Sequence, residues 1–247
     1  MMLTFIYDPS LQDGNIVTVK GAEARHMVSV LRLKKGHLVR LIDGEGGAHI
    51  CEITKSGSRT VTCRIIKSVK KSGEPSLFLT LAVGLSTGTK FDSVIEKGTE
   101  AGVSRFAPLL TEKGKVRVSD NTSLKRKMNR WRRVAEAATK QSNRSVIPCI
   151  DNPVAFNEFI ELCAPEEIML FHPDDKPVNV VTLVNSIHAG RLTLVVGPES
   201  GFSPSEVAAA NDKGIRCVSL GSRILRTETA GMILPALMIY YYESVKT

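Results

Sequence analysis

The sequence predicts two unlike parts: a small β-barrel with one helix over residues 1–72, then an α/β domain over residues 73–247 built on a parallel sheet covered on both faces. Three observations predict this. Residues in the first 70 positions alternate apolar and polar at strand spacing, Lys70-Lys71-Ser72-Gly73-Glu74-Pro75-Ser76 reads as a linker, and continuous apolar runs such as Leu192-Thr193-Leu194-Val195-Val196 then alternate with helical patterns. A length of 247 residues leaves ample chain for a core, and 43% hydrophobic with 23% charged residues excludes a disordered or collagen-like chain.

In the first part, strands are predicted at Leu3–Tyr7, Leu38–Ile42, His49–Ile53 and Thr60–Ile66, with a hairpin at Asp43-Gly44-Glu45-Gly46-Gly47 and one helix from Ala22 to Leu33. In the second, strands are predicted at Leu77–Gly84, Phe106–Leu110, Val146–Ile150, Ile168–Phe171, Leu192–Val196 and Cys217–Leu220. Helices are predicted at Thr89–Ala101, Ser123–Gln141, Ala155–Leu162, Val178–Ile187 and Pro204–Asp212, with a last one at the C-terminus. The apolar stretch Ala230–Tyr242 is 13 residues long, short of the ~20 of a membrane span, and the N-terminus lacks a basic leader, so the protein is expected in the cytoplasm. Five cysteines without a C-x-x-C pair disfavour a disulfide framework or a thiolate zinc site and are expected reduced and mostly buried; no metal centre is expected.

The net charge of +8 is segregated: residues 1–72 carry +6, residues 113–144 carry +9, and the remainder −7. Clustered Lys and Arg are what a polyanion requires, because each neutralised phosphate releases a counterion. A solvated basic face without a ligand is the plainer alternative. The helix Ser123–Gln141 places Trp131, Val134, Ala135 and Ala138 on a buried stripe, which makes Trp131 a core residue rather than a base-stacking platform.

Ligands of open α/β sheets sit outside the carboxyl ends of the strands. Three predicted loops leave that edge: Phe171–Asp174, Gly197–Phe202 and Gly221–Thr229. Gly197 and Gly201 let the second loop approach a ligand, and Arg226 opens the C-terminal helix as a held cation suited to a developing anion. Neither G-K-[ST] nor a strand-following G-x-G-x-x-G is present, which makes nucleoside triphosphates and dinucleotides poor candidates.

The ordered set Lys97–Val103, Arg130-Trp131 through Glu136-Ala137 to Gln141–Arg144 with Pro148, Gly197-Pro198-Glu199 and Leu220–Ala230 resembles the RsmE family, as do Arg25-His26 and Leu31-Arg32-Leu33. Its members are small-subunit ribosomal RNA uridine-N3 methyltransferases of the SPOUT superfamily. The resemblance implies a PUA-like barrel, a SPOUT-type domain with a deep trefoil knot, a homodimer, 16S ribosomal RNA as substrate and S-adenosylmethionine as methyl donor. It further implies a donor site at Phe171, His172, Val196, Gly197, Gly201, Leu220, Ile224, Leu225 and Arg226. Arg226 is expected to stabilise the uracil anion, with Glu199 or a water as proton acceptor, and Arg25, Arg32, Lys34, Arg130, Arg133 and Arg144 to contact phosphates. Ser200 stands where the family usually has glycine. The rival readings are a non-catalytic RNA-binding factor and a SPOUT enzyme acting on ribose or another base.

Overall fold

The computed structural model describes residues 2–70, 72–114, 116, 121–172, 187, 190–219, 221 and 223–246. The chain divides into two compact units, one formed by residues 1–74 with 139–147 and the other by 75–138 with 148–247. The expected boundary at 72/73 therefore omits a short segment of the first unit that arrives from the middle of the chain.

In the first unit, strands β1 (Thr4–Ile6), β2 (Gln12–Asp13), β3 (Ile16–Lys20), β4 (Leu38–Ile42), β5 (Gly47–Ser56) and β6 (Thr60–Lys70) form one sheet in the order β1-β4-β5-β6-β3-β2. Every pair is antiparallel except β1 with β4. Alternation places Val17, Val19, Val39, Leu41, Cys51, Ile53, Val61 and Cys63 in one core with Phe5, Tyr7 and Met27. The hairpin Asp43–Gly47 is held by a single carboxylate oxygen: Asp43 Oδ1 accepts from the N–H groups of Glu45, Gly46 and Gly47 at 2.7, 3.0 and 2.9 Å. The helix expected over 22–33 is shorter. α1 (Gly21–Arg25) passes into a π-turn at His26–Val30, and Arg32, in the left-handed region at φ 53°, ends it.

In the second unit, β7 (Phe78–Gly84), β8 (Arg105–Leu110), β9 (Cys149–Ile150), β10 (Val154–Ala155), β11 (Ile168–Phe171), β12 (Arg191–Val196) and β13 (Arg216–Val218) form an all-parallel sheet ordered β10-β8-β7-β12-β11-β13, with β9 also beside β8. The helices are α2 (Lys90–Glu100), α3 (Asn121–Gln141), α4 (Phe156–Glu161), α5 (Pro204–Asp212) and α6 (Thr227–Lys246). Met128, Trp131, Ala135 and Ala138 of α3 are buried, and the Trp131 ring meets the edge of Phe91 at 4.7 Å, so the tryptophan is core. Strand Val146–Ile150 shrinks to Cys149–Ile150, because residues 139–147 belong with the other unit. The expected helix Val178–Ile187 lies outside the described residues apart from Ile187, and the path that would define a knot includes residues outside that set. Among the described residues no helix is long and apolar enough to cross a membrane. Of the five cysteines, none of them disulfide-bonded, Cys51, Cys63 and Cys217 are buried and Cys163 half-buried; Cys149, on the short edge strand, is exposed.

Candidate active site

Sheet register assembles the site. Phe171 lies level with Val196 on one side and Val218 on the other, and Val196 is level with Val83 of β7, so four strands end together. The winding reverses between β7 and β12, the position at which α/β sheets bind ligands. Here the backbones approach closely: a Cβ at Gly84 would overlap the Pro198 ring and lie 2.6 Å from the Pro198 nitrogen.

The loop after β12 is tied down residue by residue. Thr227 Oγ1, at the first turn of α6, donates to the Gly197 carbonyl at 3.2 Å. Gly201 N–H donates to the Pro198 carbonyl at 2.8 Å, and Gly201 itself is left-handed at φ 67°, with open space where a side chain would be. Phe202 is buried beneath the loop, its ring 5.0 Å from Phe156 and 6.4 Å from His172. Ser203 and Glu206 then start α5 with a reciprocal capping box behind Pro204, the start expected from sequence.

The other two loops reach the same edge. His172 follows Phe171 directly, its N–H donating to the Val218 carbonyl at 3.2 Å. Ser219 Oγ donates to the Gly221 carbonyl at 2.9 Å, with Gly221 left-handed at φ 95°. Ile224 is 89% exposed and Leu225 half-buried, while Arg226 is exposed and its carbonyl accepts from Ala230 N–H at 2.8 Å, starting α6. Leu220 lies outside the described residues. Glu199 is exposed and ion-paired with Lys90 of α2, a partner that sequence inspection missed.

The expected phosphate contacts divide. Arg25, Arg32 and Lys34 are exposed in the first unit. Arg133 is exposed on α3, and Arg130 is more than half exposed although ion-paired with Asp92. Arg144 is a correction: its side chain is 2% exposed and bonded to Glu74, with Nε and Nη2 at 3.1 and 2.8 Å from Glu74 Oε2. A guanidinium enclosed in this way holds the first unit together and is withdrawn from nucleic acid.

The residues fit S-adenosylmethionine. Half-buried Phe171 and Leu225 and the exposed Ile224 would offer apolar surface to a flat base, and Gly201 and Gly221, with open space where a side chain would be, would let the donor approach the backbone.

A parallel sheet with glycine-containing loops after β12 and β13 at its carboxyl edge is the framework of an RNA methyltransferase domain, and that family matches residues 73–239, while the RNA methyltransferase PUA domain matches residues 19–66. Over 231 residues the chain is 33% identical to the ribosomal RNA small subunit methyltransferase E of Synechocystis sp., covering 92% of this chain and 74% of the relative. The Bacillus subtilis protein of the same name is 27% identical, with 96% and 94% covered. Among solved structures, a ribosomal RNA small subunit methyltransferase E from Neisseria gonorrhoeae bound to S-adenosyl methionine superimposes with a TM-score of 0.85 at 26% identity, covering 98% of both chains. A methyltransferase from Legionella pneumophila in complex with the same cofactor gives 0.84 at 26%, covering 96% and 97%. The chain belongs to the ribosomal RNA small subunit methyltransferase E family.

Proposed function

We propose that the chain transfers the methyl group of S-adenosylmethionine to N3 of a uridine in 16S ribosomal RNA. The observation that carries this is the level ending of β7, β12, β11 and β13 beneath a loop fixed at Gly197, Gly201 and Ser203, which supports a single preorganised donor site. The donor, when bound, supplies an electrophilic methyl carbon on a sulfonium. The chain's part is to hold that carbon in line with N3 and to manage the N3 proton. Arg226, exposed at the mouth of α6, stabilises the charge left on the uracil oxygens once N3 loses its proton. Glu199, or a water it holds, accepts that proton. Arg25, Arg32, Lys34, Arg130 and Arg133 orient the RNA through its phosphates.

The protein acts as a cytoplasmic homodimer of a knotted SPOUT-type domain with a PUA-like barrel built on residues 1–72 and joined by 139–147. Exposed Met232 and Tyr240, on one side of α6, support a protein-covered helix face. Calorimetry with S-adenosylmethionine and nucleoside mass spectrometry of the RNA product test the reading together. Donor binding with a base-methylated uridine is the expected result; no binding at high micromolar donor favours a non-catalytic RNA-binding factor, and a ribose-methylated product favours a different SPOUT chemistry. Arg226→Ala lowers turnover by ~10²-fold or more with donor affinity retained; unchanged turnover removes Arg226 from the mechanism.

A further inference from the structure

A loop carrying Gly197 and Gly201 is intrinsically pliant, and something must fix its shape before a ligand arrives. The second unit contains a bracket for it. The turn Thr111–Gly114, which leaves β8 and is closed by Gly114 N–H to the Thr111 carbonyl at 3.0 Å, runs alongside the loop. Glu206, 1% exposed, divides its carboxylate between the two segments: Oε2 accepts from Ser203 N–H at 2.7 Å and Oε1 from Glu112 N–H at 2.9 Å. Two further bonds run the same way. Ser205 Oγ donates to Glu112 Oε2 at 2.8 Å, and Ser200 Oγ donates to the Lys113 carbonyl at 2.9 Å.

An N-terminal cap needs only one of the carboxylate oxygens of Glu206; the second is spent on a segment more than 90 residues away in sequence. Ser200, where the family usually has glycine, lies outside the left-handed region, since Arg32 and Asn143 are the non-glycine residues with positive φ among those described. Its hydroxyl therefore adds a bond without backbone strain. The hydrogen bonds of Ser203 and Ser205 also hold the Glu112 carboxyl below its ordinary range, in keeping with an acceptor in use.

We propose that Glu206 and Ser200 are positioning residues for methyl transfer, which clamp the 111–114 turn against the 197–203 loop so that the turn forms a fourth wall of the donor site. This rests on the reading of 197–202 as the donor loop. Neither side chain takes part in the chemistry, so their removal acts on donor affinity more than on the transfer step. The test is calorimetric donor binding and steady-state kinetics on the full-length protein carrying Ser200→Ala, Ser200→Thr and Glu206→Gln. Loss of the Ser200 hydroxyl weakens S-adenosylmethionine binding and raises its KM about 2- to 10-fold, the scale of one hydrogen bond, with kcat moving less than KM. Ser200→Thr restores affinity, and the thermal midpoint of Ser200→Ala stays within ~1 °C of wild type, because a surface substitution of this kind changes stability little. Glu206→Gln, which converts one acceptor into a donor facing an N–H, weakens donor binding further. Wild-type affinity in Ser200→Ala overturns the proposal, as does equal weakening in Ser200→Ala and Ser200→Thr. A wild-type protein that binds no donor instead fails the reading of the loop itself, and the control without substitutions reveals that case.

Discussion

Removing the carboxylate of Glu74 tests the structural role of Arg144. Glu74 Oε2 accepts two bonds from the guanidinium, and Oε1 accepts from Ser145 N–H and Val146 N–H at 2.8 and 2.9 Å. The side chains of Arg144 and Glu74 are 2% and 10% exposed, so solvent screening removes little of the interaction. Arg40, desolvated enough to lower its own pKa, donates from Nη1 to the Arg144 carbonyl at 3.0 Å, which makes the segment 144–146 the centre of a polar knot inside the first unit. Glu74→Ala removes four hydrogen bonds from the buried segment 144–146, two from the guanidinium and two from backbone amides, at a cost of about 3–5 kcal/mol. Glu74→Gln, which keeps one carbonyl oxygen, costs less. The assay is amide hydrogen exchange of β4 and β5, whose slowest amides open only with the unit as a whole: exchange accelerates about 10²- to 10³-fold or more in Glu74→Ala. A change under ~1 kcal/mol would mean that Arg144 is free to turn outward, and would return it to the candidate phosphate contacts.

Three further outcomes follow from local environments. Burial pushes the Cys51 and Cys63 thiols up to about 12, whereas Cys149 is exposed, so a thiol reagent at pH 8 labels Cys149 first and reaches Cys51 and Cys63 only after unfolding; mass spectrometry of the labelled native protein checks the order. Desolvation lowers the pKa of His49, partly opposed by Asp43, and a depressed pKa means that the unfolded chain takes up the proton first. The first unit therefore loses stability as pH falls below ~6.5 toward the folded value, and His49→Gln flattens that dependence in urea titrations at a series of pH values. Gly84→Ala forces a methyl into the Pro198 backbone; it displaces the donor loop and weakens S-adenosylmethionine binding at least ~10-fold, whereas wild-type affinity would show that the loop gives way without consequence.

Much of the second unit was legible because a buried parallel strand announces itself as an unbroken apolar run: β11 occupies the span expected of it, and β7, β8 and β12 do so to within one residue. The strand Ile16–Lys20 was missed although its sequence alternates and Asp13-Gly14 signals a turn before it, since its hairpin partner β2 is only two residues long and its main partner β6 lies 40 or more residues on. Candidate loops were found by their glycines and prolines. Their ties were not, because Thr227 to Gly197, Ser200 to Lys113 and Glu206 to Glu112 are single bonds between distant positions that leave no periodic trace. Arg144 was misjudged for a related reason: at the end of a basic run it looks like its neighbours, and its bonds to Glu74, 70 positions earlier, leave no local trace. Lys90 was likewise invisible as the companion of Glu199.

The first unit is discontinuous in sequence, closed only when residues 139–147 join residues 1–74. A protein made from its N-terminus cannot complete that unit until residue 147 has left the ribosome tunnel, by which time β7, α2, β8 and α3 have also been synthesised. For the same reason, a fragment ending just after Glu74 would lack Arg144, the guanidinium to which that carboxylate is bonded.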